Sequence, residues 1–193
     1  MKSITILLFT FLYFFFCNPA ALSQEMDAQQ KAWMEYMTPG KYHEMMAKSV
    51  GEWKTVTKWW MDPSAEPMVS EGTAVNEMIM GGRYLKSTHS GIMMGQPFEG
   101  IMIEGYDNTK KEFVSTWIDN MGTGIMFSAG KYDEPSQSIT FEGSMVDPMT
   151  GSDVKYKQTV KIIDQNKHMM EMYDVSKGIE IKMMEIEFTR KQS

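Results

Sequence analysis

The side chains of this 193-residue chain that are able to do chemistry are few and scattered. Its three histidines, His43, His89 and His168, stand far apart, and its one cysteine, Cys17, lies near the N-terminus. A tetrahedral zinc site draws on closely spaced His or Cys pairs, and the sequence has none. Acyl-transfer chemistry needs a nucleophile, a base and an orienting group, announced by Gly-x-Ser-x-Gly or by Cys with His, and neither pattern occurs. The stretch STWIDNMGTGIM, residues 115–126, has the glycines of a phosphate loop. A phosphate loop, however, continues into Lys and Ser or Thr at the head of a helix, whereas Gly122-Thr123-Gly124 runs into strand-like Ile125 to Phe127. It reads as a hairpin tip. On the strand before it, Phe113, Ser115, Trp117 and Asp119 share one face. Asp119 either bonds the turn amides or stands with Trp117 on a cavity wall.

Arg83 follows Gly81-Gly82, and alternation places it with Leu85, Ser87 and His89. On an inward face its guanidinium needs a carboxylate (Asp119, Glu99 or Glu142) or the acid group of a fatty-acid-like ligand. On an outward face it is a surface arginine at a strand start. Glu99 and Glu142 acting as an acid and base inside a cavity are the enzymatic alternative, but the sequence favours a non-catalytic protein. Methionine is unusually frequent, with 22 residues. Met78/Met80 and Met170/Met172 have the two-residue spacing that sets two thioethers on one strand face, so Cu(I) binding is a second alternative. Packing, lining of an apolar cavity and scavenging of oxidants are the other uses of methionine. His168 on a late strand is either a haem ligand or a polar edge residue. No resident cofactor or metal is expected.

The elements that carry these residues follow from turn signals. From Gly51 onward, runs rich in β-branched and aromatic residues are broken at Asp62-Pro63, Gly81-Gly82, Gly95-Gln96-Pro97, Asp107-Asn108, Asn120-Met121-Gly122, Asp133-Glu134-Pro135, Asp147-Pro148 with Gly151, Asp164-Gln165-Asn166 and Ser176-Lys177-Gly178. Nine breaks make ten strands, and the intervals are too short for crossover helices, so the strands are antiparallel neighbours joined up and down. In residues 154–162, Val154, Tyr156, Gln158, Val160 and Ile162 share one face, while Lys155, Lys157, Thr159 and Lys161 share the other. Such a meander has two bare edges unless it closes, and a closed barrel of this size holds a small ligand. An open two-layer sandwich is the alternative fold. PFEGIMI at 97–103 and TFEGSMV at 140–146 are two strands of one kind, not a duplication. Before Gly51, the spacing of Trp33, Met34 and Met37, and of Tyr42, Met45 and Met46, predicts two short helices, with Thr38 as N-cap and Pro39 in the first turn of the second.

Lys2 followed by the apolar run Ile4 to Phe16 has the make-up of a secretory signal, shorter than a membrane span. Ala21-Leu22-Ser23 sets cleavage after Ser23, and a lipid anchor on Cys17 is disfavoured by the bulky Phe16 before it. The product is exported, to the periplasm or the medium. Losing Lys2 leaves 18 basic against 25 acidic side chains, a charge of −7, which argues against nucleic acid as a partner. The cysteine leaves with the signal, so the mature domain relies on its core, and stable membrane insertion is not expected. The parts are a signal peptide at 1–23, a helical extension at 24–50 and a barrel at 51–193.

VGEWK at 50–54 opens the first strand with Gly-x-Trp, which resembles the start of a lipocalin, where that tryptophan plugs one end of the barrel. With YMTPGKYHEMMAKSVG, MIMGGRYL, MMGQPFEG, GYDN, VSTWIDNMGTG, VDPMTG and EMY, the chain resembles a family of bacterial exported, lipocalin-like proteins, domain of unknown function 1579. The resemblance implies an all-β, antiparallel up-and-down barrel of about ten strands behind a short helical extension. It implies no activity. The expected role is binding of a small apolar or amphipathic molecule, with walls from Phe98, Met102, Trp117 and Tyr156 and polar anchors at Arg83 and Asp119.

Overall fold

The computed structural model describes residues 19–192, with side chains from Asp27 onward; the apolar run Ile4 to Phe16 and Cys17 lie outside the described residues. Two helices, α1 (Pro19–Met37) and α2 (Lys41–Ala47), precede the strands. These are β1 (Gly51–Trp59), β2 (Met68–Ile79), β3 (Tyr84–Met93), β4 (Gln96–Asp107), β5 (Glu112–Asp119), β6 (Met126–Asp133), β7 (Ser138–Val146), β8 (Asp153–Asp164), β9 (Lys167–Asp174) and β10 (Ile181–Arg190). Packing divides the chain between Glu35 and Tyr36, so that α2 and every strand belong to one compact unit.

Each strand pairs antiparallel with the next, and β1 pairs with β10 from Trp53↔Arg190 to Trp59↔Met184, which closes the barrel. Closure leaves no bare edge for another chain to pair with. Each of the nine turn signals overlaps a connection between strands, with Gln96-Pro97, Asp107, Asp133 and Asp164 at the adjoining strand ends. Two connections have only two residues, Met94-Gly95 and Gln165-Asn166, and in the first φ values of 51° and 78° give the doubly left-handed turn that matches strand twist. The helix start differs from the expected one. Gly40, not Thr38, is the cap: its carbonyl accepts from the amides of His43 (2.9 Å) and Glu44 (3.1 Å), and its own N–H donates to His43 Nδ1 (3.0 Å). Pro39 therefore precedes the helix instead of opening it.

Alternation sorts the walls. On β8 the apolar residues and Gln158 face in and the lysines face out, as the pattern predicts. Opposite charges line up on the outer face, for example Lys58–Glu185 and Lys167–Glu187, both at 2.9 Å. Such exposed pairs add little stability and mainly keep the wall wet.

One end of the barrel is stoppered by α2. Met46 enters a core of Leu85, Phe113, Ile139 and Phe141, with Tyr42, Met45, Met102 and Tyr106 packed round it. Tyr42 lies 4.4 Å from Tyr106 and 5.5 Å from Phe113, ring centre to ring centre. Beside this stopper, Trp53 of the Gly-x-Trp motif is fully buried. His168 is 4.6 Å from its ring and the Arg190 guanidinium is 4.3 Å from it. Arg190 also donates to the carbonyls of Val50 (2.5 Å), Lys48 (2.6 Å) and Gln165 (2.9 Å). One arginine thus ties the last strand to the entry of the first and to the β8–β9 turn.

Candidate functional site: the unstoppered half of the barrel

Away from α2 the inner wall is built from small residues set against large ones. Gly72, Ala74, Ser87, Gly91, Gly100, Ser115, Ser128 and Gly143 all face in. The two related strand sequences show why. In each, Phe, Gly and Met face inward and Glu outward, as Phe98-Glu99-Gly100 with Met102 and as Phe141-Glu142-Gly143 with Met145. The inward glycine makes room for an aromatic ring from the neighbouring strand. A Cβ on Gly100 would run into the Trp117 indole, and one on Gly143 would lie 2.7 Å from the Tyr156 hydroxyl. A ring laid across a glycine shields that stretch of backbone and fixes the ring's tilt.

Trp117 is the best-held of these rings. Its Nε1 donates to Asp119 Oδ2 at 2.6 Å, and Asp119 Oδ1 accepts from the amide of Met121 at 2.9 Å. Phe98 stacks near it at 6.2 Å with 23° between planes, and His89 meets it edge-on at 5.1 Å. His89 in turn is 6.0 Å from Phe188. Trp59, on the same inward face of β1, has a buried indole N–H with no hydrogen-bond partner. Phe98, Met102, Trp117 and Phe188 face inward yet are only half-buried. Across the barrel, on β7–β10, the interior is packed: Met145, Met184, Ile186 and Phe188 lie against buried Tyr156, Met170 and Met172, so the half-buried surface is that of the β4–β5 side.

Below this ring lies a polar layer. Ser87, Ser115, Ser128 and Glu104 are buried on the inner wall, and Tyr156 shares a hydrogen bond with Ser128. Ser87 Oγ is 2.9 Å from His89 Nε2. That is the spacing of a nucleophile and its base, but burial lowers the His89 imidazole to about 4, so at neutral pH it is a poor proton acceptor. Burial pushes the Glu104 carboxyl the other way, up to about 7.

The expected binding residues fall into two places. Met102 is in register with Trp117, and Gly100 with Asp119, so Phe98, Met102, Trp117 and Asp119 form one patch on β4 and β5. Tyr156 is on β8, three strands further round, buried with Met170 and Met172. Arg83 is not with them. It precedes β3 in the turn at the α2 end, is exposed, and donates to the carbonyls of Met37 (2.7 Å) and Met80 (3.2 Å). Positive φ at Met80, Gly81 and Gly82 breaks the alternation before the strand begins, which is why its parity with Leu85 does not place it inside.

Other expectations are corrected in the same way. Glu99 and Glu142 face outward and are exposed, so they make no acid-base pair within a cavity. Met78 faces in, whereas Met80 sits in the turn, so these two share no face; Met170 and Met172 do, both buried. His168 is packed on Trp53 at the stoppered end, and burial lowers its pKa. Among the described residues no group of His, Cys, Asp and Glu is placed to hold a metal ion. Two outer crevices lie at the stoppered end. One, of about 190 Å³, is lined by Arg83, His43 and Tyr106; the other, of about 510 Å³, by Pro135, Lys161 and Met169. Neither contains Phe98, Met102, Trp117, Asp119 or Tyr156.

Sequence reasoning missed Glu104, Trp59 and Arg190. The inward position of Glu104 was open to parity counting, since it shares a strand and a face with Phe98 and Met102. No pattern marks a carboxylate as partnerless.

A ten-stranded up-and-down barrel, stoppered by a short helix and opened by Gly-x-Trp, defines a lipocalin-like protein. The chain belongs to the family of proteins of unknown function DUF1579, whose family model matches residues 38–190. Among solved structures it is similar to Rv2717c from M. tuberculosis, with 14% identity and a TM-score of 0.58, over 80% of this chain and 100% of that one. It is also similar to the S-type phycobiliprotein lyase CPES from Guillardia theta, with 9% identity and a TM-score of 0.54, over 83% and 97%. At such identities the likeness is one of fold alone. No curated protein sequence matches the chain significantly. No described helix is long and apolar enough to cross a membrane.

Proposed function

We propose that this protein is a non-catalytic binder of a small, largely apolar or amphipathic molecule, held in the half of the barrel that α2 does not stopper. The observation that carries the reading is the set of inward aromatic and thioether side chains on β4 and β5 that remain half-buried: Phe98, Met102 and Trp117. Apolar surface facing a cavity gains on the order of 25 cal/mol per Å² when a guest covers it. Phe98, Met102, Trp117 and Tyr156 serve as walls, and Asp119 acts by fixing the Trp117 ring. Trp59 Nε1 offers a buried donor to a guest that carries an acceptor. The make-up of the N-terminus, Lys2 followed by the apolar run Ile4 to Phe16, supports an exported protein that binds its guest in the periplasm or the medium.

The test uses the full chain purified from its own host. Native mass spectrometry is expected to find a co-purified small molecule, and Nile red, a neutral apolar dye, is expected to bind saturably at one site. A bare mass together with no saturable dye uptake overturns the reading.

A further inference from the structure

The inner wall is uneven in charge. Among the described strand residues that face inside, Glu104, Asp119 and Asp174 are acids, Arg190 is the only lysine or arginine, and the imidazoles of His89 and His168 are held below their usual pKa by burial. Arg190 is committed to three backbone carbonyls and the Trp53 ring at the stoppered end. The lysines of β8 and β9 point out. Two of the acids already have donors. Asp119 receives Trp117 Nε1 and the Met121 amide, and Asp174 Oδ1 receives the Ser176 amide at 2.8 Å.

Glu104 has none. It is 8% exposed, opposite Leu85 on β3 and Ser115 on β5, between Met102 and Tyr106 along β4, and no described group donates to its carboxyl or pairs with its charge. Buried carboxyl groups in native interiors are otherwise bonded, because an unpaired one sacrifices its hydration for nothing in return. Glu104 is paired with Leu85 and stands one inward position from Tyr106, which is paired with Phe113, so it borders the core that α2 covers. Between it and the mouth stand Met102, Trp117 and Phe98. From Phe98 to Glu104 the strand runs roughly 20 Å, at about 3.3 Å per residue.

We propose that the barrel takes its guest head first, with a protonated amine docked on the Glu104 carboxylate and an apolar tail running up past Met102, Trp117 and Phe98 to the mouth. The proposal rests on the binding reading above and names the chemical class of the guest. An ammonium supplies the missing donors and the missing opposite charge, and the hydroxyls of Ser115 and Ser128, paired in register, provide further acceptors at that level. The aromatic faces on the way in favour a cation as well. A fatty acid would add a fourth acidic group to three inward acids, where the one arginine is already committed and burial keeps the His89 imidazole uncharged. The length of the channel selects a chain over a compact ring system.

The experiment is competition against bound Nile red by dodecylamine, dodecanol and dodecanoate, which share one tail and differ only in the head, each below its micelle concentration. The amine is expected to displace the dye about tenfold or more ahead of the other two, the ratio one charge-assisted hydrogen bond supplies. Glu104→Gln is expected to erase that preference while the dye still binds, and Glu142→Gln, on the outer wall, to leave it intact. Should Glu104→Gln not fold, Glu104→Asp, shorter by one methylene, is expected to narrow the preference. Equal displacement by all three heads overturns the proposal, as does an amine preference that survives Glu104→Gln. If wild-type protein has a bare mass and takes up no Nile red, the binding reading itself falls and this one with it. If the dye binds and the heads rank equally, only the amine falls.

Discussion

At the α2 end of the barrel Met46, Phe113 and Ile139 are 3%, 0% and 4% exposed, while towards the other end Phe98, Met102 and Trp117 face the same interior and stay half-buried. The side-chain types are alike at both ends: methionine, phenylalanine, tryptophan and tyrosine. What differs is the cover. α2 lays Tyr42, Met45 and Met46 across one opening, and no second helix of the same compact unit does so at the other. The connections differ too. Those at the mouth carry exposed Met61, Met94, Met121, Ile125, Met149 and Ile179, whereas at the stoppered end only Met80 is an exposed apolar residue in a turn. The contrast teaches that aromatic and thioether content does not by itself separate a core from a cavity, since the same residues become one or the other according to what lies over them.

The comparison is most directly broken by paired truncations. Trp53→Ala at the stoppered end is expected to lower unfolding stability by about 3–5 kcal/mol, the usual loss for a fully buried large aromatic. Trp117→Ala is expected to lose about half of that or less, because part of its surface is already open, yet to weaken Nile red binding about tenfold. Urea denaturation and dye titration on the two variants check both. Equal stability losses, with dye binding unaffected, would mean that both halves are core.

The second test separates the two buried titrating groups by pH. Glu104 has a folded pKa of about 7 against an unfolded value of 4.5, so between these the folded chain holds more protons and stability falls as pH rises. His89 has a folded pKa of about 4 against 6.5, so between these the unfolded chain holds more protons and stability rises with pH. Each shift corresponds to roughly 3 kcal/mol, and the two nearly cancel in the wild type across the range they share. Glu104→Gln is therefore expected to be more stable than wild type by an amount that grows from about pH 4.5 to 7, and His89→Gln to lose stability relative to wild type over about pH 4 to 6.5. Chemical denaturation across this range measures both differences. A pH-independent gap for Glu104→Gln would show that its carboxyl is not held in the interior as described.

A smaller change sharpens the contrast within the open half. Gly100→Ala places a methyl in the space the Trp117 indole occupies. Overpacking of this sort costs about 1–3 kcal/mol. The ring, held by Asp119, has to tilt, so the near-ultraviolet circular dichroism of tryptophan should change along with dye affinity. Gly82→Ala, in a turn with open space round it but φ of 81°, should cost stability without altering either signal.

Much of this architecture is legible in the sequence because its turns are short and chemically marked. Asp, Asn, Gly and Pro fall at all nine connections, and antiparallel order follows from their spacing, whereas closure is only one of two ways to deal with the bare edges. Parity, once set by Phe98 and Met102, also sends Glu99 outward and Glu104 inward. What is not legible is long-range. The periodicity of Tyr42, Met45 and Met46 marks a helix with an apolar face, but not which opening it covers. Nothing near Arg190 in the chain indicates that it reaches Lys48 and Val50, about 140 positions earlier. Parity also fails where a turn intervenes, as it does at Arg83.

Arg83 supplies the smallest expected effect and the cleanest separation of the two ends. Its guanidinium holds two carbonyls at the stoppered end, one in its own turn and one in Met37 ahead of α2. Both bonds are exposed, so Arg83→Ala is expected to cost about 1 kcal/mol or less. A ligand anchor would behave differently, because removing a charge that meets a guest costs affinity even where stability is untouched. Nile red affinity and the ranking of the dodecyl heads should therefore be the same in Arg83→Ala as in wild type. A loss of dodecanoate binding alone would return the arginine to the site and move the polar end of the guest to the outside of the barrel.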